Sequence, residues 1–283
     1  MKSIAFITCY FGAWPWYFPY FLKSCASNPD IQFFLVTDND KDCGFIIPEN
    51  VVIVKSNLAS VKQQFDEKLN ITTAIADAYK LCDVKPAYGL VFNHLIKGFD
   101  FWGHCDIDII WGRIMNFMTP ELLENFDLIT GRHDFLSGTF TLFRNCNEMN
   151  ELFMQSHSYP EVFTNPNHLC FDECNFLWKQ IGEMNNPLDL GDVFNGIDSM
   201  THVVRRKQKD GSIRAFFDFM ILEGVPGNIL WKEGKLTYKN EFEVLLYHLI
   251  KFKKVNDPSP PENTDFDSFR IGKKRFYNIK SNR

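Results

Sequence analysis

Short apolar runs alternate with polar stretches of helical periodicity along the first third of the chain. Residues 3–9 (SIAFITC) and 31–37 (IQFFLVT) read as buried strands, and residues 51–54 as a third. Between the first two, Tyr17, Tyr20, Phe21 and Cys25 recur at helical spacing. Strand, helix and strand in that order predict a right-handed crossover and a mostly parallel sheet flanked by helices. A helix is expected over 83–97, with Asp83 as its cap, Pro86 in its first turn and Leu90, Val91, Leu95 and Ile96 on its apolar side. A strand over 102–107 follows.

Thr119-Pro120-Glu121 is a helix start signal. Short strands are expected at 127–130 and 139–144, and helices at 147–156 and 172–181. Residues 229–238 (ILWKEGKLTY) predict a hairpin turning at Glu233-Gly234. An amphipathic helix is expected over 241–252, and 258–264 (PSPPENT) reads as a linker. Six basic residues and no acid follow Asp267, and no internal repeat is present. The expected organisation is one α/β catalytic domain over residues 1–255, with a linker and small basic C-terminal extension over 256–283.

Composition narrows the class. Hydrophobic residues make up 45% and charged residues 23%, which rules out disorder as the main state. The 29 Phe residues require an aromatic core or aromatic clefts. Thirty basic against 35 acidic residues give a net charge of -5, which argues against a nucleic-acid partner. Eight cysteines are scattered, with only Cys170 and Cys174 close together, so a reduced, cytoplasmic protein without a structural zinc is expected. The apolar stretch 1–22 is interrupted by Pro15 and Pro19 and lacks a small-residue cleavage site, so neither a signal peptide nor a spanning helix is expected there.

Asp106-Ile107-Asp108 is the leading candidate for chemistry. Two aspartates inside the apolar run GFDFWGHCDIDIIWG (98–112) would be costly to bury unpaired. Positions i and i+2 of an extended segment face the same way, and two carboxylates on one face can share a divalent cation. The alternative is a capped strand end with no metal. Asp38 ends the second strand, at the sheet edge where open α/β folds bind ligands, and could hydrogen-bond a nucleoside. With Asp40 and Asp42 it matches a calcium loop only in part, because Cys43 stands where glycine is needed. Lys85 beside a helix start suits a pyrophosphate, unless it is simply solvated. Asp172 or Glu173 could act as a general base for a hydroxyl nucleophile, or merely favour a helix N-terminus. His248, expected on the helix over 241–252, is chemically able to complete an oxygen-rich metal site.

The segments YKLCDVKPAYGLVF (79–92), GFDFWGHCDIDIIWG (98–112), SGTFTLFRN (137–145), FDE (171–173) and YH (247–248) together resemble bacterial glycosyltransferases of GT-A type from surface-polysaccharide gene sets. The N-terminal FITCYFG and FPYFLKSCASNPDIQFFLVTDN are similar as well, so the resemblance covers most of residues 1–255. It implies a GT-A-like, Rossmann-like sheet and a nucleoside-diphosphate sugar donor at the sheet edge. It also implies Mn2+ or Mg2+ bound through the D-x-D. By that resemblance Asp108 is the main metal ligand, Asp106 contacts the ribose or the metal's water shell, and His248 is the C-terminal metal-binding histidine. Phe11 and Asp38 would lie by the nucleoside, and Asp83 and Lys85 by the donor sugar or phosphates. Thr139 stands where related sequences carry His in the SG-x-FTL-x-RN loop.

The expected activity is therefore metal-dependent transfer of a sugar to the hydroxyl of a glycan or of a lipid-linked saccharide. A metal-dependent phosphotransferase or nuclease and a non-catalytic carbohydrate-binding module are the alternatives. The basic tail, with Phe269, Ile271, Phe276 and Tyr277 interleaved, is expected to touch an anionic membrane at its inner face.

Overall fold

The computed structural model describes residues 2–40, 44–184, 186–192, 196–255 and 266–279. Strands β1 (Ile4–Tyr10), β2 (Ile31–Thr37), β3 (Val51–Lys55) and β4 (Phe101–Cys105) are followed by the short β5 (Ile109–Trp111) and β6 (Leu128–Thr130). Next come β7 (Phe140–Arg144), β8 (Ala215–Phe217), β9 (Ile221–Leu222), β10 (Ile229–Lys232) and β11 (Lys235–Tyr238). The set ends with β12 (Phe242–Glu243), β13 (Leu246–His248), β14 (Ser268–Ile271) and β15 (Phe276–Ile279).

The main sheet is seven-stranded, in the order β3-β2-β1-β4-β7-β6-β8. Its strands all run the same way except β7, which lies antiparallel to both neighbours. The fold is therefore α/β with a mostly parallel sheet, as the strand-helix-strand pattern predicts. Helices cover it, which explains why β1 is a continuous apolar run rather than an alternating one. Ile4 and Phe6 pack on one face with Phe33, Trp111 and Phe140. Ala5 and Ile7 pack on the other with Val61, Phe65, Tyr88 and Trp102. Each such large side chain contributes about 1.5–3 kcal/mol by leaving water.

Strand order fixes where a ligand can sit. The chain builds β1, β2 and β3 outward in one direction, then returns to place β4 on the other side of β1. Beyond the carboxyl ends of β1 and β4 lies the crevice typical of such a switch. Two smaller sheets complete the fold: β5-β13-β9 and β12-β11-β10-β14-β15. The expected hairpin turns at Glu233-Gly234, both at positive φ (51° and 82°), with Lys232 opposite Lys235. No described helix is long and apolar enough to cross a membrane.

Several expected elements take another form. The helix over 83–97 is broken into short turns: Leu81–Val84, Lys85–Ala87 and Tyr88–Val91. Pro86 has no N–H to continue a ladder, and a Cβ on Gly89 would meet the Trp102 ring at 2.4 Å. The strand expected over 102–107 stops at Cys105, so Asp106 and Asp108 stand beyond its end. The helix over 172–181 is confined to Trp178–Gly182, because Asn175 and Phe176 adopt positive φ. The helix over 241–252 is replaced by β12 and β13, and His248 lies on a strand. The C-terminal extension joins the five-stranded sheet through β14 and β15, and Phe269 and Ile271 are buried. Those two side chains belong to the core and not to a membrane contact. The expected linker, 258–264, lies outside the described residues.

Candidate active site

Three parallel strands deliver their next residues to one edge. Tyr10 is in register with Thr37, so Phe11 and Asp38 follow on neighbouring strands. Asp106 follows β4, whose last residue is tied to β1 by the Thr8 hydroxyl donating to Cys105 O at 2.9 Å. Past this edge opens a cavity of about 480 Å3, whose wall includes Phe11, Lys85, Asp106, Asp108, Asp172, Glu173 and His248.

Asp106, Asp108 and His248 each offer a ligand atom within 4.8 Å of the other two. Pairing of β13 with β5 brings them together. His248 sits opposite Ile109, the residue after Asp108, and Leu249 N donates to Asp108 O at 2.8 Å. His248 Nδ1 lies 3.0 Å from Glu223 Oε1 and 3.1 Å from Thr139 Oγ1. A proton on Nδ1 directed to Glu223 leaves Nε2 facing Asp108 Oδ2, 3.4 Å away. Arg132 Nη1 holds the other Glu223 oxygen at 2.9 Å.

Electrostatics concentrate charge here. Burial alone would raise the Asp108 carboxyl, but His248 and Lys253, whose Nζ donates at 2.6 Å, hold it well below the usual carboxylate range. Burial would likewise lower His248, but Asp108 and Glu223 outweigh it and raise the imidazole to about 10. An ion that displaced the Nε2 proton would meet two carboxylates and a neutral imidazole whose Nδ1 proton stays on Glu223, a donor set that fits a divalent transition ion. The Lys253 ammonium on Asp108 shows that this carboxylate already attracts a cation.

A second cluster lies on the same wall. Lys85, nearly buried, donates to Asp106 Oδ1 at 2.6 Å and to Gly138 O at 2.7 Å. Its Nζ is 3.6 Å from Asp172 Oδ2. Burial pushes the Asp172 carboxyl well above its usual range, against the pull of Lys85. Glu173 is less buried; its Oε1 accepts from Gly138 N at 3.1 Å and its Oε2 from Trp178 Nε1 at 2.9 Å. A Cβ on Gly138 would stand 2.5 Å from Asp172 Oδ2 and 3.0 Å from Glu173 Oε1, so only glycine lets the 137–139 loop approach the acid pair.

Two expected donor-binding residues fall outside the wall. Asp83 is fully buried and faces inward, where its carboxylate accepts from Lys80 Nζ at 2.8 Å and from Leu169 N and Phe171 N at 2.9 Å each. Its oxygens are engaged within the protein. Asp38 is at the expected edge but outside the cavity lining, and its Oδ1 accepts from Gly12 N at 3.1 Å. Glu223 and Lys253 were not singled out from the sequence. The only sequence signal for either is an acid or base bordering an apolar run, which is too common to select them.

No curated protein matches this chain in sequence. Two of the solved structures similar to it are the following. Mouse xyloside xylosyltransferase 1, apo form, has a TM-score of 0.46 and 10% identity, covering 88% of this chain and 98% of that one. Galactosyltransferase LgtC, in complex with donor and acceptor sugar analogs, has a TM-score of 0.35 and 12% identity, covering 77% and 75%. A family model matches from residue 6 to residue 280 and so takes in both clusters of the cavity. On that match the chain belongs to the family described as "Family of unknown function (DUF6625)".

Proposed function

We propose that the chain is a metal-dependent glycosyltransferase that moves a sugar from a nucleoside-diphosphate donor to a carbohydrate hydroxyl. The observation that carries this reading is the convergence of Asp106, Asp108 and His248 in the crevice beside the β1 and β4 ends. These three residues would hold the ion, Mn2+ or Mg2+. When bound, it supplies positive charge to neutralise the leaving diphosphate.

The remaining steps belong to the chain's own residues. Lys253 and Lys254 line the cavity and add positive charge for the phosphates. Lys85 fixes Asp106 in place and links it to the 137–139 loop. Asp172, whose carboxyl burial raises above its usual range, lines the cavity and can hydrogen-bond a sugar hydroxyl. Glu173, the more exposed acid, is the one an incoming hydroxyl can reach, and in an inverting reaction it takes the acceptor proton. A reduced, cytoplasmic setting and a free or lipid-linked saccharide acceptor complete the proposal.

The test is thermal stabilisation by UDP and GDP with and without Mn2+. At least one nucleotide should raise Tm by several degrees only when Mn2+ is present, and Asp108→Ala should abolish that rise. Equal stabilisation in EDTA, or none by any nucleotide, would overturn the reading.

A further inference from the structure

The cavity's outer rim carries aromatic side chains that the core does not use. Tyr79 is 67% exposed, and Phe176 and Trp178 are 45% exposed each. All three line the cavity, and they form a chain of rings through His168. Tyr79 to His168 is 4.7 Å between centroids, His168 to Phe176 is 5.7 Å, and Phe176 to Trp178 is 5.5 Å. By contrast Trp102, Trp111 and Trp231 are fully buried.

Backbone geometry at the rim is unfavourable by itself. Phe176 has φ of 62° and Asn175 of 51°, a region where a bulky residue without glycine's freedom is an outlier. Phe176 is 45% exposed, and its ring touches the His168 and Trp178 rings edge-on. An exposed aromatic cluster on strained backbone beside two acids has the features of a ligand site and not of a folding element.

We propose that Tyr79, Phe176 and Trp178 form the acceptor subsite: because the Phe176 and Trp178 rings stand nearly perpendicular, at 86°, one stacks on the apolar face of a pyranose ring while the other borders its edge. The proposal rests on the glycosyltransferase reading above and names its acceptor side. A pyranose has a C–H face suited to aromatic rings and a hydroxyl edge suited to carboxylates. The rim offers both at once, because Trp178 Nε1 is hydrogen-bonded to Glu173 Oε2 at 2.9 Å. Trp178 therefore places Glu173 at the edge of the stacking surface, where the hydroxyl of a stacked sugar lies. A lipid chain would gain nothing from the carboxylates. A nucleobase would compete for the same rings and is separated from a sugar by the test.

Binding of a panel of methyl hexopyranosides and methyl xylopyranoside to the full chain, without nucleotide, is measured by saturation-transfer NMR and by Trp fluorescence. At least one glycoside should bind, and Trp178→Ala and Phe176→Gly should each weaken it tenfold or more. Phe176→Gly should leave Tm unchanged or higher, because glycine suits the positive φ; a merely structural ring would lower it. UDP or GDP binding with Mn2+ is measured in parallel on the same variants and should be unchanged. Absence of binding by every glycoside, or wild-type affinity in both variants, would overturn the subsite. So would a loss of nucleotide binding in place of glycoside binding, which would mark a base-stacking site. If glycosides bind as expected but no nucleotide does, the transferase reading falls and the sugar subsite stands.

Discussion

Asp83 keeps its negative charge with no exposed surface, and the groups around it explain how. Burial would raise its pKa, but His168, Lys80 and the Phe171 N–H outweigh burial and lower it. His168 Nδ1 lies 3.2 Å from Asp83 Oδ1. Burial would lower that imidazole, yet Asp83 and then Cys170 raise it to about 9. The folded pKa of His168 is thus above its unfolded value near 6.5. Its contribution to stability is complete below that value and is lost as pH rises through about 9. His168→Gln should therefore cost about 1 kcal/mol at pH 6, the scale of a partly screened pair. Tm curves of the variant and the wild type should converge by pH 10, and a constant gap would count against the ion pair. At this scale the sequence was most informative where polarity clashed with context. Asp106 and Asp108 stood out because an apolar run surrounds them. Asp83 reads from the sequence as a helix cap, and only Lys80 and the 168–171 segment around it make it a buried partner. Glu223 could not be found, since its role depends wholly on where β13 lies.

Between residues and fold, the loop 137–139 holds the two clusters together. Lys85 donates to Gly138 O, Glu173 accepts from Gly138 N, and Thr139 Oγ1 reaches His248. Gly138→Ala would force its Cβ against Asp172 and Glu173. We expect the variant to fold, with Tm within a few degrees of wild type, while transfer activity falls by about 10²-fold because a 1 Å displacement near reacting groups is that costly. Activity within twofold of wild type would show that the loop has slack. The 241–252 segment shows why an element can be misread. Its apolar residues satisfy a helical period, but β5 and β9 offer backbone partners on either side, and that pairing overrides the local pattern. The parallel strands were legible because covered strands must be apolar throughout, a pattern that needs no partner to be recognised.

At the scale of the whole molecule, the C-terminal strands close an aromatic layer. Phe269 stacks on Trp231 at 5.0 Å and meets Tyr20 at 4.9 Å, while Phe276 packs against Trp16 and Phe252 at 5.4 Å each. Composition announced the aromatic surplus but not its location. Removing residues 266–283 uncovers this layer and deletes the buried Phe266, Phe269 and Ile271. At about 1.5–3 kcal/mol each, their loss is comparable to the whole stability of a domain. The truncated chain should be insoluble or lose its cooperative melt, as followed by circular dichroism. A truncated chain that melts like the full one, and fails only to bind anionic vesicles, would mark the tail as a membrane contact.

The route by which His248 reaches Asp108 also orders events in time. The imidazole lies 109 residues after Thr139, its neighbour on the opposite side of the site, and arrives only when β13 docks beside β5. A nascent chain that has emerged only through β8 carries both aspartates but no third ligand. On the proposed assignment such a chain should hold the ion weakly, with tight binding beginning at the arrival of β13. Ion affinity measured on chains of increasing length would then rise in a step at residues 246–249, and the ion itself becomes a reporter of when β13 has taken its place.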